Sequence, residues 1–114
     1  MNIVKADKGV SYEAAGHHGG IYLALQSAAT EKASLAVNLS HFDPGGGCDP
    51  AVIPAGMTLC YFVVKGQLSF TVTGEEPFTL QAGDSVLWAP GDERGFVNDG
   101  DQVADLLVVI VKEN

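Results

Sequence analysis

Three histidines, two cysteines and a set of carboxylates are the side chains with which this sequence could hold a metal or move a proton. His41 and Asp43 stand two residues apart, so on a strand they share a face. Joined by a histidine from segment 16–20 they would supply two imidazoles and one carboxylate, a set that suits iron or manganese. His17 and His18 are adjacent, and adjacent strand residues face opposite ways, so both can serve only if the glycine-flanked segment is a loop. Imidazole titrates near neutrality, which also makes His17 and His41 candidates for a general acid or base. Cys48 and Cys60 lack the paired spacing of a zinc site and are too few for a disulfide framework. Buried thiols are their ordinary reading. Cys48 nevertheless follows a glycine run and is expected to be the more exposed, without a recognisable catalytic partner.

Short elements must position these groups. Glycine and proline cluster at 16–20, 44–47, 54–56, 90–91 and 95–100, with single glycines at 74 and 83, and cut the chain into brief pieces. The pieces 21–28, 34–42, 58–65, 67–73, 78–80, 85–89, 95–98 and 104–111 are rich in Val, Leu, Phe, Tyr or Thr and read as strands. Such regular spacing, without a sustained helical period, predicts an antiparallel sandwich or barrel. The one stretch with helix formers, 26–32, is short and reads as a hairpin loop. Segments 58–65 and 104–111 are apolar at consecutive positions, so both their faces need cover. One face is core; the other predicts a homodimer. Trp88 reads as a core or interface anchor.

With 114 residues the chain is expected to be one domain, and 46% hydrophobic against 18% charged residues excludes a disordered chain. No apolar run is long enough for a bilayer span. A net charge of −8 repels nucleic-acid phosphates and anionic membranes, which removes both as partners. Residues 1–8 lack the apolar stretch of a secretion signal, so a cytoplasmic location is expected.

Five pieces, in order and spacing, resemble the small single-domain cupins. They are Pro44-Gly45-Gly46-Gly47, the stretch Tyr61 to Val72 turning at Gly66, Leu80 through Gly83-Asp84 to Pro90, Asn98-Asp99-Gly100-Asp101, and Leu106 to Val109. The resemblance implies an all-β, RmlC-like antiparallel jelly-roll β-barrel, or double-stranded β-helix. Its core would occupy 34–111 of a single domain 1–114, with N-terminal strands in 1–33. Cupins usually hold a divalent metal through two histidines two residues apart, a following glutamate and a later histidine. Counting from Gly66 and Asn98, those positions fall within Val52 to Ala55, on Leu59 and on Arg94. Hydrocarbon has no lone pair and a guanidinium has no acceptor, so the resemblance implies the fold without the usual metal or any other cofactor.

The same correspondence puts Leu59, Tyr61 and Val63 on one interior strand face and Arg94, Phe96 and Asn98 on another. The expected function is therefore binding of a small organic ligand, anionic or aromatic, with Arg94 as its anchor and Tyr61 as a hydroxyl donor. The bland alternative pairs Arg94 with Asp92, Glu93 or a nearby carboxylate at the rim, where it binds nothing. If the protein is an enzyme, a metal-free isomerisation or lyase step would use Arg94 to hold the anion, Tyr61 to donate and His17 or His41 to carry the proton. Two rivals stand beside this: a non-catalytic sensing module, and a metal-dependent isomerase, lyase or dioxygenase with displaced ligands among His17, His18, His41 and Asp43.

Overall fold

The computed structural model describes residues 1–26 and 34–113. Apart from one 3-10 turn at Ala6–Lys8, its regular structure is strand. The strands are β1 (Val10–Tyr12), β2 (His17–Gln26), β3 (Leu35–Val52), β4 (Met57–Lys65), β5 (Gln67–Val72), β6 (Phe78–Gln81), β7 (Ser85–Trp88), β8 (Glu93–Val97) and β9 (Ala104–Lys112). All pair antiparallel in the order β6-β5-β8-β3-β9-β4-β7, with β2 also against β3 and β1 against β2. The expected all-β jelly roll is what forms. The hairpin expected at 26–32 lies outside the described residues, except that Gln26 ends β2.

Two departures from the sequence reading concern glycine. Segments 44–47 and 16–20 were expected to interrupt the chain, yet β3 runs unbroken through Gly45, Gly46 and Gly47, and β2 begins at His17. The glycines let backbones meet. A Cβ on Gly47 would fall on the carbonyl oxygen of Phe96 in β8, and one on Gly46 would fall on that of Gly19 in β2. Gly19 takes φ 65°, a left-handed conformation that glycine adopts without steric cost, at the bulge between His18 and Gly20. These glycines therefore weld three strands where loops were expected. Strand β1, of three residues, lies within the 1–33 region expected to hold N-terminal strands, though in none of the pieces read as strands one by one.

Alternation sorts the side chains. Along β4, Leu59, Tyr61 and Val63 are buried while Phe62 and Val64 are exposed. Across the barrel, Phe42, Leu68, Phe70, Leu106 and Trp88 complete one core, so Trp88 is a core anchor packed against Tyr61 and Phe70. Strand β9 is buried at Ala104 and Leu106 and half-buried from Leu107 to Ile110, which explains its unbroken apolar run.

Candidate functional site

The cross-strand register puts Asn38, Val108 and Tyr61 in one row, and Ser40, Leu106 and Val63 in the next, across β3, β9 and β4. Facing that wall, β8 carries Arg94 and Phe96 inward, because they alternate with Glu93 and Val97. Between the walls lies a cavity of about 190 Å³ lined on one side by Asn38, Ser40, Leu59, Tyr61 and Val108. His17 of β2 and Arg94 and Phe96 of β8 join the lining with Phe42, which continues the face of Asn38 and Ser40 on β3.

Arg94 dominates the electrostatics. Only 7% of it is exposed, and its Nη2 donates to the Tyr61 hydroxyl at 2.8 Å. Nη1 lies 3.5 Å from the Ala51 carbonyl and 3.9 Å from Cys48 Sγ, both weak contacts, and Nε is buried with no partner among the described residues. The expected rim pairing does not occur. Asp92 accepts from the Ala89 amide at 2.9 Å and Glu93 accepts from the Thr73 hydroxyl. Among the described residues, no carboxylate makes an ion pair with Arg94.

Nor do its neighbours neutralise it. Burial pushes the Tyr61 hydroxyl above its ordinary value, against the opposing pull of Arg94, so it stays a neutral phenol. Burial likewise pushes up the Cys48 thiol. That thiol is buried beside Arg94, not exposed as the glycine run had suggested, because β3 continues inward through Cys48. Held as a thiol, it is a poor nucleophile.

The histidines divide. His17 lines the cavity, and its Nδ1 lies 2.9 Å from the Ala15 carbonyl, so the neutral ring donates there and keeps its lone pair on Nε2. Burial lowers its pKa first, and Arg94 lowers it further against the Ala15 hydrogen bond. His18 points the other way, 3.5 Å from Asp49. His41 sits on the outward face of β3, where its Nδ1 is 2.7 Å from Asp105 of β9. It is therefore no proton carrier for this cavity, which corrects the expectation made for it. Asp43 is exposed on that same outward side. His17 is thus separated from His41 and Asp43 by the sheet, and among the described residues neither His17 nor His18 gathers with them into a group of three that could hold a metal.

Of the six expected lining residues, Arg94, Tyr61, Phe96 and Leu59 face the cavity, whereas Asn98 and Val63 do not. Val63 is packed in the core, and Asn98 is structural. Its Nδ2 donates to the carbonyls of Phe42 at 3.0 Å and Gln102 at 2.7 Å, and its Oδ1 accepts from the Gly100 amide. Asn38 and Ser40 were missed. Their signal was the two-residue spacing with Phe42, which carries two polar groups onto the face that Phe42 buries.

Leu59 and Arg94 are the residues that the resemblance sets at the metal-ligand positions, and of 52–55, expected to hold the histidine pair, only Ile53 is buried. One imidazole, a protonated thiol and a guanidinium make a poor donor set for a divalent ion, so these residues do not fit the usual metal.

The family model described as the cupin domain matches residues 38–110. Comparison with curated protein sequences finds no match. Among solved structures, a predicted oxalate decarboxylase from Thermotoga maritima superposes with TM-score 0.82 at 18% identity, over 98% of this chain and 100% of that one. A polyketide cyclase from Streptomyces resistomycificus gives 0.83 at 16% identity, over 99% and 80%. An RmlC-like cupin from Shewanella frigidimarina gives 0.76 at 19% identity, over 100% and 93%. Identities this low speak for the fold alone, but the family model covers most of the chain and the jelly roll agrees with it; this protein belongs to the cupin family.

Proposed function

We propose that this cupin binds a small organic anion inside its barrel, with Arg94 as the anchor and Tyr61 as a second donor. The observation that carries the reading is a buried guanidinium without a carboxylate partner among the described residues. An uncompensated buried charge costs several kcal/mol, and a carboxylate arriving with its own charge would offset that cost. Tyr61 Oη accepts from Arg94, which leaves its own proton to donate to such a ligand. Two solved neighbours, one described as a predicted oxalate decarboxylase and one as an oxalate oxidase in complex with glycolate, are by those descriptions linked to small carboxylic acids.

A catalytic version has one specific support: His17 lines the cavity, and with Nδ1 donating to the Ala15 carbonyl its Nε2 is free to accept a proton. A metal-free isomerisation or lyase step would use it beside Arg94. A thermal-shift screen of carboxylates and phenols tests the binding reading. A ligand at about 100 times its Kd adds about 2.7 kcal/mol to stability. We expect carboxylate hits that disappear in Arg94→Ala; hits that survive the substitution refute the anchor. Turnover of a hit, lost in His17→Gln with binding retained, would separate an enzyme from a sensing module.

A further inference from the structure

Resting on the Arg94 site, we infer that the ligand is an aromatic monocarboxylate of one ring that carries a second, uncharged polar group. Four features of the cavity define that class. Size is first: about 190 Å³ lies below the roughly 300–1,000 Å³ of drug-sized sites and near the ~150 Å³ of an engineered cavity that admits benzene. One ring with a carboxyl group fills it.

Charge is second. Arg94 is the one Arg or Lys on the lining among the described residues, and His17 is held toward its neutral form by burial. A single carboxylate is matched; a compact dianion would bring a charge with no partner into an apolar space.

Wall chemistry is third. Phe42 and Phe96 meet edge to face with ring centroids 5.1 Å apart, and Tyr61 lies edge-on to Phe96 at 5.9 Å. With Leu106, Val108 and Ile110 also on the lining, these walls offer a flat ring apolar contact that a purely polar anion would not use. The fourth feature is the pair Asn38 and Ser40, buried polar side chains on the same lining. Asn38 already hydrogen-bonds the Tyr12 hydroxyl, so its remaining amide capacity and the Ser40 hydroxyl suit a hydroxyl or carbonyl elsewhere on the ring. A site built to hydrogen-bond such a group discriminates against the analogue that lacks it.

Calorimetric titration of the full chain with 4-hydroxybenzoate, benzoate, benzyl alcohol and oxalate tests this. We expect 4-hydroxybenzoate to bind best, benzoate several-fold weaker, and benzyl alcohol and oxalate at least about tenfold weaker than benzoate. Asn38→Leu should erase the preference for the hydroxylated ring while benzoate still binds. A normal melting transition for each variant certifies its fold. Oxalate binding as well as benzoate, with both lost in Arg94→Met, would overturn the ligand class and leave the anion site standing. Binding of none of the four, or binding indifferent to Arg94→Met, would overturn both. An unchanged hydroxyl preference in Asn38→Leu would overturn the role of the polar pair alone and reduce the class to simple aromatic carboxylates.

Discussion

Arg94 sets a function against stability at a single residue. A guanidinium whose buried Nε has no partner among the described residues and which makes two long contacts is expensive to keep inside a barrel of aromatic and aliphatic walls. Arg94→Met, similar in length and apolar, is expected to raise the unfolding free energy by about 1–3 kcal/mol in urea titration while abolishing anion binding. A loss of stability instead would mean that the charge is satisfied in the native protein. His17 behaves differently because its charge is conditional. Burial lowers its folded pKa, so above about 6.5 both folded and unfolded chains carry it neutral and it has no effect on stability. As pH falls from there through the lowered folded value, the unfolded chain takes the proton first and stability is lost. His17→Gln should remove that loss, so its melting temperature relative to wild type should rise in this window and stay flat above it. Equal pH profiles would show that the ring is freely solvated.

At the scale of elements, strand β3 decides the site, since it pairs with β2, β9 and β8 in turn and carries Asn38, Ser40 and Cys48 inward. Its glycines have separable roles. Gly47→Ala drives a methyl into the Phe96 carbonyl, backbone that cannot rotate away, and should cost about 3 kcal/mol. Gly45 takes φ 85° with open space around its would-be Cβ, so Gly45→Ala should cost only the left-handed strain of about 1–2 kcal/mol. Chemical denaturation of the two variants checks the order; equal losses would mean that β3 relaxes around the contact. Here the sequence was partly misleading. Glycine and proline are turn residues by local conformational preference, and nothing local distinguishes a glycine that bends a chain from one that admits a neighbouring backbone.

The whole molecule presents an outer sheet face that its own core does not use. Phe62, Val64, Leu87 and Val111 project outward from β4, β7 and β9, and Leu87, on the terminal strand of the sheet order, is 68% exposed. We expect this face to pair with a second copy, because contiguous apolar surface of that kind is uncommon on monomers. Sedimentation at micromolar concentration should show a dimer, and the double change Phe62→Glu with Leu87→Glu should give a folded monomer. Each protomer carries −8, so raising the salt from about 0.05 M to about 0.5 M should tighten the dimer by screening their repulsion. A monomer under all conditions would refute the pairing.

Local alternation already assigns the inward side chains of β4 and β8. A strand has period two, so Leu59 with Tyr61, and Arg94 with Phe96, share a face whatever the rest of the chain does. Residue type also implies that Leu59 and Arg94, the positions that the cupin resemblance assigns to metal donors, could not serve as donors. Only the tertiary structure decided which inward faces meet. Barrel closure brings His17 and Arg94 onto one cavity from strands distant in sequence, and it leaves His41 outside with Asp105. It also directs Asp92 and Glu93 to partners other than Arg94. Alternation is a property of neighbouring residues, whereas convergence depends on register between strands far apart in the chain.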